Sequence, residues 1–309
     1  MGVHLTRALI ERGDLVCGIY HPDTSAGELQ RACPRARISA VDILDERCLR
    51  DFLKRVRPDR IYHLAAQSHV PTSWKNPTDT FRVNVIGTLN LIEAAGRRKN
   101  PPRMLLVSSG DVYGNAAAVK GPIKETSPIN PLNPYAASKA AAEWMGRILA
   151  AKKNIPLVCV RPFNHIGPGQ APSFVASDFA RQIALIEAKR QKPDILVGNL
   201  EAQKNFTDVR DMVRAYILAL EKARAGKVYN LCSSKSYAIR EILDILISLS
   251  TVKPRVVQEG SRLRSSWSNV IKANSSLFTD LTGWKPRYSI RQTLEDILDY
   301  WRERVRSDE

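Results

Sequence analysis

Met104-Leu-Leu-Val-Ser-Ser109-Gly-Asp111-Val-Tyr113-Gly114 is a short apolar run that stops in two serines, a glycine and an aspartate. Four apolar residues are too few for a helix and suit a strand buried on both faces, with a polar turn where it leaves the core. The same pattern recurs upstream, where Leu15 to Tyr20, Ile38 to Val41 and Arg60 to Ala65 read as strands. Val3 to Arg12, Asp45 to Val56 and Thr78 to Arg97 carry apolar residues at helical spacing, with Asp45 placed as a cap. Downstream, a helix over Tyr135 to Lys152 and a strand over Leu157 to Arg161 continue the alternation. Strands and helices in turn predict βαβ units, hence an α/β fold with a doubly wound parallel sheet and helices on both faces. Beyond Pro162 the rhythm loosens into Pro-, Gly- and Asn-rich stretches (Asn164 to Ser173, Ser233 to Ser236, Gly260 to Asn274). That change predicts a boundary near residue 162 and a smaller lobe over 163–309, from which about 205–235 returns to the sheet.

With 309 residues, 44% hydrophobic and 25% charged, the composition is that of a folded globular chain and excludes a disulfide mini-scaffold. No apolar stretch approaches the ~18 to 20 residues of a bilayer span, and Arg7, Glu11, Arg12 and Asp14 interrupt any leader-like segment. The expectation is a cytoplasmic protein without membrane contact. Five cysteines lie far apart with no C-x-x-C pair, so free thiols are expected. The five histidines show no metal-ligand spacing, and no metal is expected. Lys and Arg number 47 against 31 Asp and Glu, a net charge of +16. These charges are dispersed and come with no nucleic-acid-binding signature, which favours a nucleotide-sized anion over nucleic acid as partner.

Tyr135-Ala-Ala-Ser-Lys139 sets a phenol and an ammonium four residues apart on one helical face. A phenol titrates near ~10 in water, so acid chemistry at neutral pH asks for a nearby cation, and Lys139 is placed to be one. Ser109 and Asp111 follow a buried strand at its carboxyl end, where open α/β sheets put ligands. The bland alternative is a solvated helix face beside a capping serine.

In the strand ending Ser-Ser-Gly-Asp-Val-Tyr-Gly and in the Tyr135/Lys139 pair that follows it, the chain resembles the extended short-chain dehydrogenase/reductase family, over nearly its whole length. The resemblance implies a Rossmann-type sheet with a C-terminal substrate lobe, an NADP or NAD cofactor, and a homodimer through helices near Thr78 and Tyr135. Asp42-Ile43 resembles the acidic stretch near the adenine, His63-Leu64-Ala65-Ala66-Gln67 the cofactor-side strand end, and Asn84-Val-Ile-Gly87-Thr88 the family's Asn helix. Gly2 and Pro162 are implied as further cofactor contacts. Arg161-Pro-Phe-Asn164-His165-Ile-Gly167-Pro168 and Asn205-Phe-Thr-Asp208-Val-Arg210-Asp211 are most similar to the reductases of GDP-4-keto-6-deoxy-D-mannose, which make GDP-rhamnose. On that resemblance Tyr135 protonates the ketone oxygen, Lys139 assists it and holds the nicotinamide ribose, and Ser109 binds the carbonyl. Asn164, Val175, Lys204 and Arg264 would contact the nucleotide-sugar, Arg264 as a diphosphate clamp.

The family's fingerprint is a strand, then G-x-x-G-x-x-G, then a helix, and Met1-Gly2-Val-His4-Leu5 matches its last glycine and the helix. A sheet without that strand, and a phosphate cradle without two glycines, are expected to fold and to bind cofactor poorly. Lys204 stands where many relatives carry Arg, and Trp267 where they carry a ribose-binding Glu. A nucleotide-sugar 4,6-dehydratase or 4-epimerase is the competing enzyme, with Asp111 as its carboxylate. A cofactor-sensing or truncated, inactive relative is the non-enzymatic alternative.

Overall fold

A computed structural model describes residues 1–114, 121–262 and 272–307. The chain opens on α1 (Gly2–Glu11), β1 (Cys17–Tyr20), α2 (Gly27–Ala32), β2 (Arg37–Ala40), α3 (Glu46–Val56) and β3 (Arg60–His63). Asp45 does cap α3, its Oδ1 accepting from Cys48 N at 2.9 Å. Next come α4 (Val70–Lys75), α5 (Pro77–Phe81), a π-turn (Arg82–Ile86), α6 (Gly87–Ala95) and β4 (Arg103–Val107). The single helix expected over Thr78 to Arg97 is therefore interrupted by one wide turn. Apolar periodicity runs through that turn and gives no warning of it.

The helix α7 (Pro134–Lys152), capped by Asn133, leads into β5 (Leu157–Pro162) and β6 (His165–Ile166). Then follow α8 (Val175–Glu187), β7 (Asp194–Val197), β8 (Gln203–Asn205), β9 (Thr207–Asp208) and α9 (Val209–Lys222). The chain closes with β10 (Val228–Leu231), β11 (Ser236–Ala238), α10 (Ile239–Leu249), β12 (Arg255–Gln258), α11 (Ser276–Thr282) and α12 (Ile290–Ser307).

The central sheet has the order β10-β5-β4-β3, all parallel, with Leu105 beside Val158 and Cys159 beside Val228. Leu105, Leu106, Val158, Cys159 and Val160 are almost inaccessible, because α6 and α7 with α3 cover one face and α9 with α11 covers the other. A second core joins α8, α10, α12 and β7 through Ile183, Ile195, Leu246, Leu294 and Ile297. Cys33, Cys159 and Cys232 are buried free thiols, Cys17 is half-buried and Cys48 exposed. Among the described residues no helix is long and apolar enough to cross a membrane.

One feature departs from a continuous doubly wound sheet. The strands β1 and β2 pair with each other in parallel, yet β1 has no strand partner on its other edge among the described residues, and neither does β3. Between them runs a slot of about 1140 Å³, lined by Cys17 and Ile19 from β1, Ile61 and His63 from β3, Leu5 from α1 and Phe52 from α3. The buried Tyr62 hydroxyl at this slot has no hydrogen-bond partner among the described residues. Two facing edges leave ladder N–H and C=O groups unused, and each such bond is worth about 0.5–1.5 kcal/mol net. An extended apolar segment with a glycine turn, joined ahead of Gly2, is expected to fill the slot. It should raise the melting temperature by at least about 5 °C and tighten nicotinamide cofactor binding in calorimetric titration. Equal, tight cofactor binding with and without the segment would refute this use of the slot.

Candidate active site

Ser109 leaves β4 at the sheet's carboxyl edge and caps the single turn Gly110–Tyr113, its Oγ accepting from Asp111 N at 3.1 Å. Gly110 is required there, since a Cβ would lie 2.9 Å from the Phe163 ring, which stacks on Tyr113 with centroids 6.2 Å apart. The turn ends at Gly114, whose φ of +62° suits glycine and where a Cβ would strike the Asn130 carbonyl. Asp111 is exposed at the cleft, and the protein around it displaces enough water to push its carboxyl pKa up, with Lys204 opposing that shift.

Across from Ser109, Asn133 Oδ1 accepts from Ala136 N at 2.8 Å and starts α7, with Pro134 as its first residue. Tyr135 thus sits in the first turn, half-buried, and Lys139 one turn on, buried. Burial raises the Tyr135 phenol, Asp111 raises it further, and a hydrogen bond with Ser109 opposes them. Lys139 is lowered to about 8 by burial, against the pull of Glu143 and Cys159. Asp111 and Ser109 are the side chains that act most on the phenol, and Lys139 lies one helical turn along α7 from it.

The loop after β3 carries Leu64, Ala65 and Ala66, and Asn84 on the π-turn holds it: Asn84 Oδ1 accepts from Gln67 N at 2.8 Å. Asn84 Nδ2 donates to Gln67 O at 3.0 Å and to Ser138 Oγ at 2.8 Å. Ser138 Oγ in turn donates to Tyr135 O at 2.7 Å. The Asn84 amide is thereby spent on protein partners, bracing the loop against α7. Ile43 is buried, and a Cβ on Gly87 would collide with it, so its side chain belongs to the core. His63, pushed down to about 3 by burial and then by Lys139, is neutral and shares 2.8 Å with Thr88 Oγ1.

Asp42 follows β2, its Oδ1 accepting from Leu44 N at 2.9 Å, and Pro162 ends β5 beside Leu231. Gly2 begins α1, whose first turn has no side-chain cap; such orphan amides suit a phosphate. His4, which sequence reading passed over, ties that turn to the cleft through 2.8 Å from Nε2 to Pro168 O. Its signal would have been a polar residue inside an amphipathic first turn. Asn164 is exposed, its carbonyl accepting from Thr207 N at 3.0 Å, and Val175 opens α8. Arg264 and Trp267 lie outside the described residues. Among the described residues no group of His, Cys, Asp and Glu could hold a metal ion.

A hydroxyl pair, a buried lysine one helical turn away and an adjacent carboxylate, at the carboxyl edge of a parallel sheet, define an enzyme of the extended short-chain dehydrogenase/reductase class. The chain belongs to the family described as GDP-mannose 4,6 dehydratase, whose match spans residues 1–297. It is 39% identical to the GDP-6-deoxy-D-mannose reductase of Pseudomonas aeruginosa over 267 residues, 86% of this chain and 88% of that protein. GDP-mannose 4,6 dehydratase 1 of Arabidopsis thaliana is 26% identical, over 96% of this chain and 86% of its own. The solved structure of RMD from Pseudomonas aeruginosa complexed with NADPH superposes with a TM-score of 0.84 at 34% identity, over 94% of this chain and all of that one.

Gly110→Ala should destabilise the fold by about 1–3 kcal/mol through overpacking against Phe163, and should slow turnover by shifting Ser109. Urea unfolding checks the first effect; an unchanged midpoint would show that Phe163 yields freely.

Proposed function

We propose that this chain reduces the 4-keto group of a nucleotide-activated 6-deoxyhexose, GDP-4-keto-6-deoxy-D-mannose giving GDP-D-rhamnose, with NADPH or NADH as reductant. The observation that carries the reading is the Ser109–Tyr135 hydroxyl pair with Lys139 one turn along the same helix. The 39% identity to a reductase of that name supports the substrate class. The residues present fit a nicotinamide dinucleotide. Uncapped amides at Gly2 suit its pyrophosphate, Asp42 a ribose, Leu64 to Ala66 and Pro162 the walls of the nicotinamide end, and Tyr135 with Lys139 the second ribose.

The nicotinamide, when bound, supplies the hydride. Everything else falls on side chains. The Ser109 hydroxyl holds the ketone oxygen by hydrogen bond. Tyr135, protonated at neutral pH because burial and Asp111 raise it, gives that oxygen its proton. Lys139, charged below about 8, stabilises the phenolate left behind. Lys204 and Arg264 would meet the diphosphate, and Asn164 and Val175 the sugar.

Dehydration across carbons 5 and 6 would need further acid and base groups. Gly110 offers none and has no room for a side chain against Phe163. The raised carboxyl of Asp111 favours a 4,6-dehydratase as the second reading, because a group held toward its neutral form can move protons.

Incubation with GDP-4-keto-6-deoxymannose and NADPH or NADH tests the assignment. Tyr135→Phe should lose about 10²- to 10⁴-fold in rate while Lys139 keeps most of the cofactor binding, and retention of half the activity would exclude Tyr135 as the acid. Asp111→Asn should cost little. Conversion of GDP-mannose alone, stopped by that variant, would establish the dehydratase instead. Since Lys139 works protonated, kcat/KM should be full at lower pH and fall as pH rises through about 8.

A homodimer is part of the proposal. Phe81 and Ile86 before α6 and Trp144, Met145 and Ile148 on α7 stay exposed, by 40, 47, 51, 46 and 66%, on helices that pack side by side. Trp144→Glu with Ile148→Glu should yield a folded monomer in sedimentation, whereas an unaltered dimer would move the interface elsewhere.

A further inference from the structure

Behind Lys139 lies a buried cluster that the chemistry above leaves unused. Glu143 stands one turn past Lys139 on the same face of α7, fully buried, and Arg161 on β5 grips it at two points: Nε to Oε2 at 2.9 Å and Nη2 to Oε1 at 2.5 Å. The other arm of the guanidinium, Nη1, donates to Tyr113 OH at 2.7 Å and to Glu125 O at 3.2 Å. Its carbon lies 4.9 Å from the centre of the Tyr113 ring. Tyr113 OH donates to Asn230 Oδ1 at 2.7 Å, and Asn230 N donates to Glu125 Oε1 at 2.8 Å.

A buried ion pair is poor support for stability, since apolar residues of similar volume often serve as well, so its placement asks for another reason. Here one guanidinium spans three segments. Tyr113 ends the turn that carries Ser109 and Asp111, Glu143 is on the helix of Tyr135 and Lys139, and Arg161 itself precedes Asn164 by three residues. We propose that Arg161 and Glu143 are positioning residues for the reaction: they register the Ser109 turn against the Tyr135/Lys139 helix, and Glu143 is the counter-charge behind Lys139. The inference rests on the catalytic reading of Lys139 given above.

The surroundings of Lys139 agree. His63 faces it from β3 and is neutral, and Cys159 faces it from β5 with its thiol pushed up by burial. On its own helix it has Glu143 behind it, and Arg147, a turn further on, acts on Cys159. Glu143 is the first group that works against the burial that lowers Lys139. Removing that charge should therefore make Lys139 lose its proton at lower pH.

The test uses the whole chain with ¹³C-labelled lysine, comparing Glu143→Gln with a double variant, Glu143→Leu together with Arg161→Met, which removes both charges and leaves an apolar core able to fold. Lys139 is followed by NMR through pH, alongside the pH profile of kcat/KM for NADPH-dependent reduction of GDP-4-keto-6-deoxymannose. In both variants the Lys139 midpoint and the alkaline limb should fall together by about one unit or more, a loss of activity at pH 8 of about fivefold or more that lower pH restores. A folded double variant with an unmoved midpoint, or with a moved midpoint and an unmoved limb, overturns the proposal. Failure of the catalytic reading shows differently: Lys139→Met would then keep its activity while the NMR midpoint in the Glu143 variants still moved.

Discussion

Parallel pairing is the constraint from which the rest of the molecule follows. With β3, β4, β5 and β10 in parallel register, the residues after His63, Val107, Pro162 and Leu231 must emerge along one edge. Leu64 to Ala66, Ser109 to Asp111 and Asn164 occur within four residues of a strand end, so one sheet gathers segments 100 residues apart. Strands packed on both faces are apolar along most of their length, and their buried polar groups, His63, Arg161 and Asn230, gather near the carboxyl ends.

Behind the edge, polar groups hold the segments in place. Asn84 joins the β3 loop to α7, and His63 lies over Thr88. The stretch Asn205 to Asp211 does similar work toward the C-terminus. Asp208 Oδ2 accepts from Thr293 Oγ1 at 2.7 Å, tying α12 to the start of α9. Asp211 Oδ2 accepts from Arg287 N at 2.8 Å and Tyr288 N at 3.0 Å, while its carbonyl accepts from Trp284 Nε1 at 3.0 Å. A motif that sequence comparison would enter as a family mark is therefore a brace: two buried carboxylates that satisfy backbone and side-chain donors of the last helical segment. Such groups are costly to leave unpaired in a core.

The slot between β1 and β3 shows the same constraint from the other side. Apolar side chains of α1 and α3 reach it, so it is shaped for chain, while the facing strand edges keep their ladder capacity. The first turn of α1 remains in place beside it through Leu5, Leu9 and Val213, and through His4 on Pro168. Helix packing thus holds the N-terminal end of α1 in place although neither edge beside it is paired among the described residues.

Much was legible in the sequence because it depends on local spacing. Strand and helix alternation, the Asp45 cap, the Ser109 turn and the one-turn separation of Tyr135 from Lys139 are set by residues within a few positions of one another. Three things were not legible there. The π-turn at Arg82–Ile86 has ordinary apolar spacing, and it is Asn84's bonds to a loop 17 residues away that accompany it. Nothing in the local sequence singles out Glu143, and it is β5 that brings Arg161 against it, 18 positions on. The balance of charge, in which Asp111 acts on Tyr135 and Glu143 on Lys139, arises from burial, and burial is decided by which helix covers which face of the sheet. Sequence fixes chemistry at contact range along the chain; electrostatics acts through space, so only the folded arrangement decides it.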